Sequence, residues 1–147
     1  MKIKQYITAL LVSLSLLSAA SLAQAAESAG PNGGRVIEQV EPHAEFFLTP
    51  ERYAQITFLN AEGEAIAPEQ QTVSLIGGDR SAPVKYSFER VGDVLRSVEP
   101  LADQPRMPIV LSIKPSPGAK TVREKFYLNQ LVCGGCQLEE YACTCEH

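Results

Sequence analysis

Apolar and polar residues alternate in short runs along most of this chain, and turn residues close each run before it reaches helical length. Ala54, Ile56 and Phe58 alternate with Gln55 and Thr57, while Val73-Leu75, Tyr86-Phe88 and Ile109-Leu111-Ile113 keep the same period of two. Val122, Phe126 and Leu128 continue it, with Tyr127 and Asn129 on the opposite side. A period of two sends successive side chains to opposite faces of a sheet, so each run reads as a strand with one buried face. Strands are expected at about 35–40, 44–49, 53–59, 72–76, 84–90, 94–98, 108–114 and 121–130. Between them, Asn60 to Gly63, Gly77 to Arg80, Val91 to Asp93 and Pro115 to Gly118 offer the glycine, proline, asparagine and aspartate of tight turns. No convincing helical stretch separates the runs. The pattern predicts an all-β fold, an antiparallel Ig-like β-sandwich of about 7–8 strands with a short C-terminal cysteine-rich appendix.

The N-terminus bounds where such a domain works. Lys2 and Lys4 precede an apolar run from Ile7 to about Leu22, which ends at Ala23-Gln24-Ala25. A basic start, an apolar middle and small residues at an A-x-A site are the marks of a cleavable secretory signal peptide, expected over residues 1–25. The run ends in a cleavage site and carries no basic stop-transfer residues, so the mature chain is expected in the periplasm, off the membrane. Residues 26–34, small and rich in glycine, read as a flexible lead-in; 35–131 read as the sandwich and 132–147 as the tail. Losing Lys2 and Lys4 with the signal makes the formal charge of -4 more negative still. An acidic chain repels nucleic acid and anionic lipid and attracts cations.

Every cysteine lies in the last fifteen residues or so: Cys133-Gly-Gly-Cys136, a six-residue spacer, then Cys143-Thr-Cys145-Glu-His147. Clustered thiols serve metal sites or small disulfide knots. Cys-x-x-Cys lets two sulfurs face one point, and Gly134 and Gly135 add amide hydrogens that can turn toward thiolates. Cys133, Cys136, Cys143 and Cys145 are therefore the expected metal ligands, with His147 as an additional or exchange ligand and zinc or copper(I) as the ion. The spacer Gln137 to Ala142 has room for about one turn of helix between the two cysteine pairs.

Two other readings stand beside this one. An oxidising compartment favours disulfides, and a nested pairing of Cys133 with Cys145 and Cys136 with Cys143 would make the chain a secreted interaction domain with two structural bridges. A redox dithiol at Cys133/Cys136 needs a depressed thiol pKa, whereas Glu139, Glu140 and Glu146 nearby would raise it. His43, at the start of a strand in Glu41-Pro-His-Ala-Glu45, reads as a surface residue at a sheet edge that could join the site only if the tail folds back. No nucleophile–base set, paired carboxylates or phosphate loop stands out, so the chain is expected to be non-enzymatic.

Gly30-Pro-Asn-Gly-Gly-Arg35 followed by a strand resembles the Gly-Pro-His-Gly-Gly-Arg opening of the N-terminal β-domain of periplasmic adaptor proteins of heavy-metal RND efflux pumps. The likeness extends through Glu45-Phe46-Phe47 and Gln55 to Phe58. The whole chain also resembles small secreted bacterial proteins ending in a Cys-x-x-Cys…Tyr-Ala-Cys-Thr-Cys tail. The resemblance implies an accessory to metal homeostasis, with a metal ion and a periplasmic efflux component as partners. The family's histidine is Asn32 here, and the hairpin, lipoyl and barrel regions of a full adaptor are missing.

Overall fold

In the computed structural model, which describes residues 29–145, each expected run becomes a strand. They are β1 (Arg35–Ile37), β2 (His43–Leu48), β3 (Ala54–Leu59), β4 (Ala65–Ile66), β5 (Thr72–Gly77), β6 (Val84–Val91), β7 (Val94–Ser97), β8 (Arg106–Lys114) and β9 (Val122–Asn129). The addition is β4, whose two residues are too few to show a period. The expected signal peptide lies outside the described residues.

All strand pairs are antiparallel, in the order β1-β2-β3-β7-β6-β5-β8-β9, with β4 beside β3. The two layers expected of a sandwich are thus halves of one nearly closed sheet. The eight-residue β6 joins them: Val84–Ser87 pair with β5, and Phe88–Val91 pair with β7. It outlasts its first partner, so the second half-sheet begins where the first ends.

Alternation then sorts the side chains. Along β8, Met107, Ile109, Leu111 and Ile113 are buried and the residues between them are not. Across the sheet, Phe46, Ile56 and Leu95 stand in register on β2, β3 and β7, as do Leu75 and Leu111 on β5 and β8. These inward faces form one core. Fully burying a side chain of this size contributes about 1.5–3 kcal/mol.

The terminal strands β1 and β9 do not hydrogen-bond to each other, which leaves a seam. Arg35 Nη2 spans it to Glu124 Oε1 at 2.9 Å, its guanidinium lying 4.9 Å over the Phe126 ring. Phe46 meets Phe126 edge-on across the same gap, with ring centroids 5.3 Å apart.

The expected C-terminal cysteine-rich appendix is present, and part of it packs into the core. A 3-10 turn, Glu140–Ala142, lies against both β1 and β9, and Tyr141 and Ala142 belong to the core. Tyr141 meets Phe46 edge-on at 5.7 Å, and its hydroxyl accepts the Leu48 N–H at 3.0 Å. From Gly30 to Gly34 the chain forms a turn closed by Gly33 N–H to the Gly30 carbonyl (2.8 Å) and Gly30 N–H to the Gly34 carbonyl (3.1 Å).

That turn covers a polar spot on the outer side of β2 and β3. Glu45 is fully buried, and its carboxylate accepts N–H donors from Asn32 (2.9 Å), Gly34 (2.8 Å) and the Asn32 side chain (2.7 Å). Three donors offset the cost of burying the carboxylate. A Cβ on Gly30 would run into the Glu45 side chain, and one on Gly34 into the Phe46 carbonyl. Gly33 supplies φ +80°, a left-handed conformation that suits glycine.

Candidate metal centre

β9 runs straight into the tail, and a short hairpin follows. Val132 bridges to Glu139, the Cys133 N–H donates to the Leu138 carbonyl at 2.7 Å, and the Gln137 N–H donates to the Cys133 carbonyl at 3.0 Å. Gln137 takes φ +63° to complete this tight reversal. The reversal aims the Gly135 and Cys136 amides at the Cys133 sulfur. Gly135 leaves room beside the cluster: a Cβ there would come within 3.1 Å of Cys145 Sγ, a tight contact that the sulfur would have to ease. The 3-10 turn then carries the chain back so that Cys143 and Cys145 face the hairpin; the expected single turn of helix in the spacer is present in this form.

The four sulfurs of Cys133, Cys136, Cys143 and Cys145 lie within 4.8 Å of one another and could hold a metal ion. Cys143 Sγ stands 3.1 Å from Cys133 Sγ and 3.4 Å from Cys136 Sγ, and the Cys145 N–H points at Cys143 Sγ from 3.4 Å. Four sulfurs bound tetrahedrally at about 2.3 Å stand about 3.8 Å apart, a spacing inside the observed range. No disulfide joins any of the four. The approach of Cys136 to Cys143, a pair in the nested arrangement, is 3.4 Å against about 2.05 Å for a bond.

Cys133 is buried, and the other three are half-buried. A cleft of about 220 Å³ borders the cluster where Cys143 and Thr144 meet Arg35, Glu38 and Glu124. The cluster is thus anchored in the core on one side and reaches solvent on the other.

Its electrostatics differ from the sequence expectation. The neighbouring glutamates do not govern Cys133: the Cys136 amide, the Cys143 thiol and the Gly135 amide together lower it to about 6. Cys143 donates into that thiolate and is pushed up to about 12. Cys145 is raised as well, chiefly by Cys136. The cluster thus holds one negative charge on its most buried sulfur, opposite thiols that a cation would have to deprotonate. Burial raises the Glu139 carboxyl, against the pull of Arg52.

His43 does not belong to the sulfur cluster. It begins β2, an interior strand between β1 and β3 and not the expected edge, and its Nε2 lies 3.7 Å from Glu41 Oε2. His147 lies outside the described residues. Sequence reasoning missed Tyr141, whose signal was a lone aromatic between the cysteine pairs. It also missed Glu45 and Asn32; a charged residue on a strand beside a glycine-rich turn was the available sign. No protein-family model, curated protein or solved structure significantly matches the chain.

Proposed function

We propose that this chain is a non-enzymatic metal-binding accessory protein of the periplasm that takes one ion into the Cys133, Cys136, Cys143 and Cys145 thiolates. The observation that carries this reading is the convergence of four sulfurs from two segments within 4.8 Å of one another with no bond among them. Zinc suits the set best, since it prefers four thiolates in a tetrahedron and needs no open position in a site without catalysis. Copper(I) is the other soft ion that thiolates select. The resemblance of Gly30 to Arg35 to the opening of heavy-metal efflux adaptors supports a role beside such a pump. Asn32 and Gly34 are occupied with Glu45, so we read that motif as serving the fold and not as adding a ligand.

Intact mass tests the reading on protein purified without reductant or chelator. A native mass excess of one zinc or copper atom, together with four alkylated thiols after denaturation, is the expected result. A mass lighter by four hydrogens, with no alkylation, would mean two disulfides and would make the chain a stapled interaction domain instead.

A further inference from the structure

The seam between β1 and β9 is where the nearly closed sheet lacks backbone pairing, and the cysteine tail fills it. The filling rests on one short piece of chain. Glu140–Ala142 is a single 3-10 turn with no side-chain cap, and too short to hold its shape unaided. It is held from both ends: by Cys133 and Cys136 before it and by Cys143 and Cys145 after it. Tyr141 reaches from this turn into the core, where Phe46 receives its ring and the Leu48 N–H its hydroxyl. The side chains of Leu131 and Val132, which lead into the tail, are exposed, but their backbones hold it: the Glu140 N–H donates to the Leu131 carbonyl at 2.8 Å and Val132 bridges to Glu139.

Resting on the metal-binding reading, we propose that metal loading and closure of this seam are one coupled equilibrium, with Tyr141 as the side chain that connects them. An ion that draws the four sulfurs together fixes both ends of the 3-10 turn and so seats Tyr141. Loss of the ion leaves the turn held by its hairpin hydrogen bonds and by the core contacts of Tyr141 alone, so Tyr141 withdraws more often from between the edge strands. The seam then exposes the Phe46 and Phe126 rings and the unpaired backbone edges of β1 and β9. Linkage makes the coupling reciprocal: if the metal seats Tyr141, a seated Tyr141 must strengthen metal binding by the same factor. Tyr141 touches no ion in this scheme; it is a positioning residue, acting through the cysteines on either side.

Amide hydrogen exchange on the reduced protein, stripped by chelator and then reloaded with zinc, tests this directly. Loading is expected to slow exchange at the Leu48 amide and across residues 140–143 by about tenfold or more, with the β-sheet circular dichroism unchanged. Tyr141→Ala should still bind one zinc per chain, about tenfold more weakly, with a Leu48 amide that exchanges fast in both states. Should that variant fail to fold, Tyr141→Phe keeps the ring and removes only the acceptor, so Leu48 should lose its metal-dependent protection. One zinc bound with equal Leu48 exchange in the stripped and loaded states would overturn the coupling while leaving the metal site standing. Wild-type affinity in a folded Tyr141→Ala would overturn it too. A wild-type chain that binds no zinc or copper(I) would remove both the site and the coupling, and stoichiometry tells that outcome from the others.

Discussion

Two irregular segments lie against β2, one at each end of the described chain, and each gathers polar groups around a point. The opening turn, Gly30 to Gly34, directs three N–H donors onto the carboxylate of Glu45. The tail directs two backbone amides and three other thiols toward Cys133. The first assembly is complete in itself, because its donors and its charge are both supplied by the chain. The second gathers like groups that each acquire negative charge on deprotonation, so a cation would complete it. The same backbone device, amides turned inward by glycines, therefore closes a structural clasp in one place and prepares a ligand site in the other.

Removing a sulfur should separate the two regions most sharply. Cys133→Ser takes away the most buried ligand, the one that both amides address. Zinc affinity is expected to fall by about a thousandfold or more in a competition titration with a chromophoric chelator. The opening clasp should be untouched, so a sheet that unfolds along with the metal loss would show that the two ends are not independent.

The reverse experiment breaks the clasp. Glu45→Ala leaves the Asn32 and Gly34 amides facing a hole on the outer side of β2, with no water-free partner for either. Denaturant unfolding of the zinc-loaded protein should show a loss of about 3 kcal/mol. One zinc per chain should still bind. A loss under about 1 kcal/mol would mean that the buried carboxylate is not what holds the turn.

Acid should act on the tail through its thiols. Cys133 is lowered to about 6, so in the metal-free protein it is a thiolate above that pH, and its contribution to folded stability fades as pH falls from about 9 through 6. Cys143 is pushed up to about 12 and Cys145 is raised, so both still carry protons at neutral pH and must release them to bind. Zinc affinity should therefore rise by more than tenfold per pH unit between pH 6 and 8, with proton release measurable by calorimetry in two buffers. A flat profile over that range would mean that the ion does not displace those protons.

The strands were legible because burial on one face writes a period of two into the sequence. Met107 to Ile113 shows it most clearly: every second side chain enters the core. The sulfur set was legible for a similar reason, since four thiols in a short tail have few uses. What the sequence hid were long-range consequences of closure. Nothing in Val84 to Val91 announces that this strand changes partners halfway, because either partner suits the same alternation. Glu45 reads as a solvent-facing residue until the turn from Gly30 is seen to cover it. The thiol electrostatics were misjudged because sequence displays the charged glutamates and hides the backbone amides.

The finest test of the contrast is Tyr141→Phe. Its hydroxyl bonds the β2 backbone at Leu48, three residues along from Glu45 on the same strand. Removing it leaves the ring packed against Phe46 and every sulfur in place, but the Leu48 N–H buried without that acceptor. The expected cost in unfolding free energy is about 1 kcal/mol. Burial pushes the Tyr141 phenol up to about 12, so the hydroxyl stays protonated across the working range and, in protein kept fully zinc-loaded, this cost should not vary between pH 6 and 9. The metal-linked cost of losing a sulfur should vary strongly over that same range. A Tyr141→Phe penalty that still grows with pH when the protein is kept fully zinc-loaded would mean that the hydroxyl senses the ion directly, and the line drawn here between core contact and metal ligand would have to move.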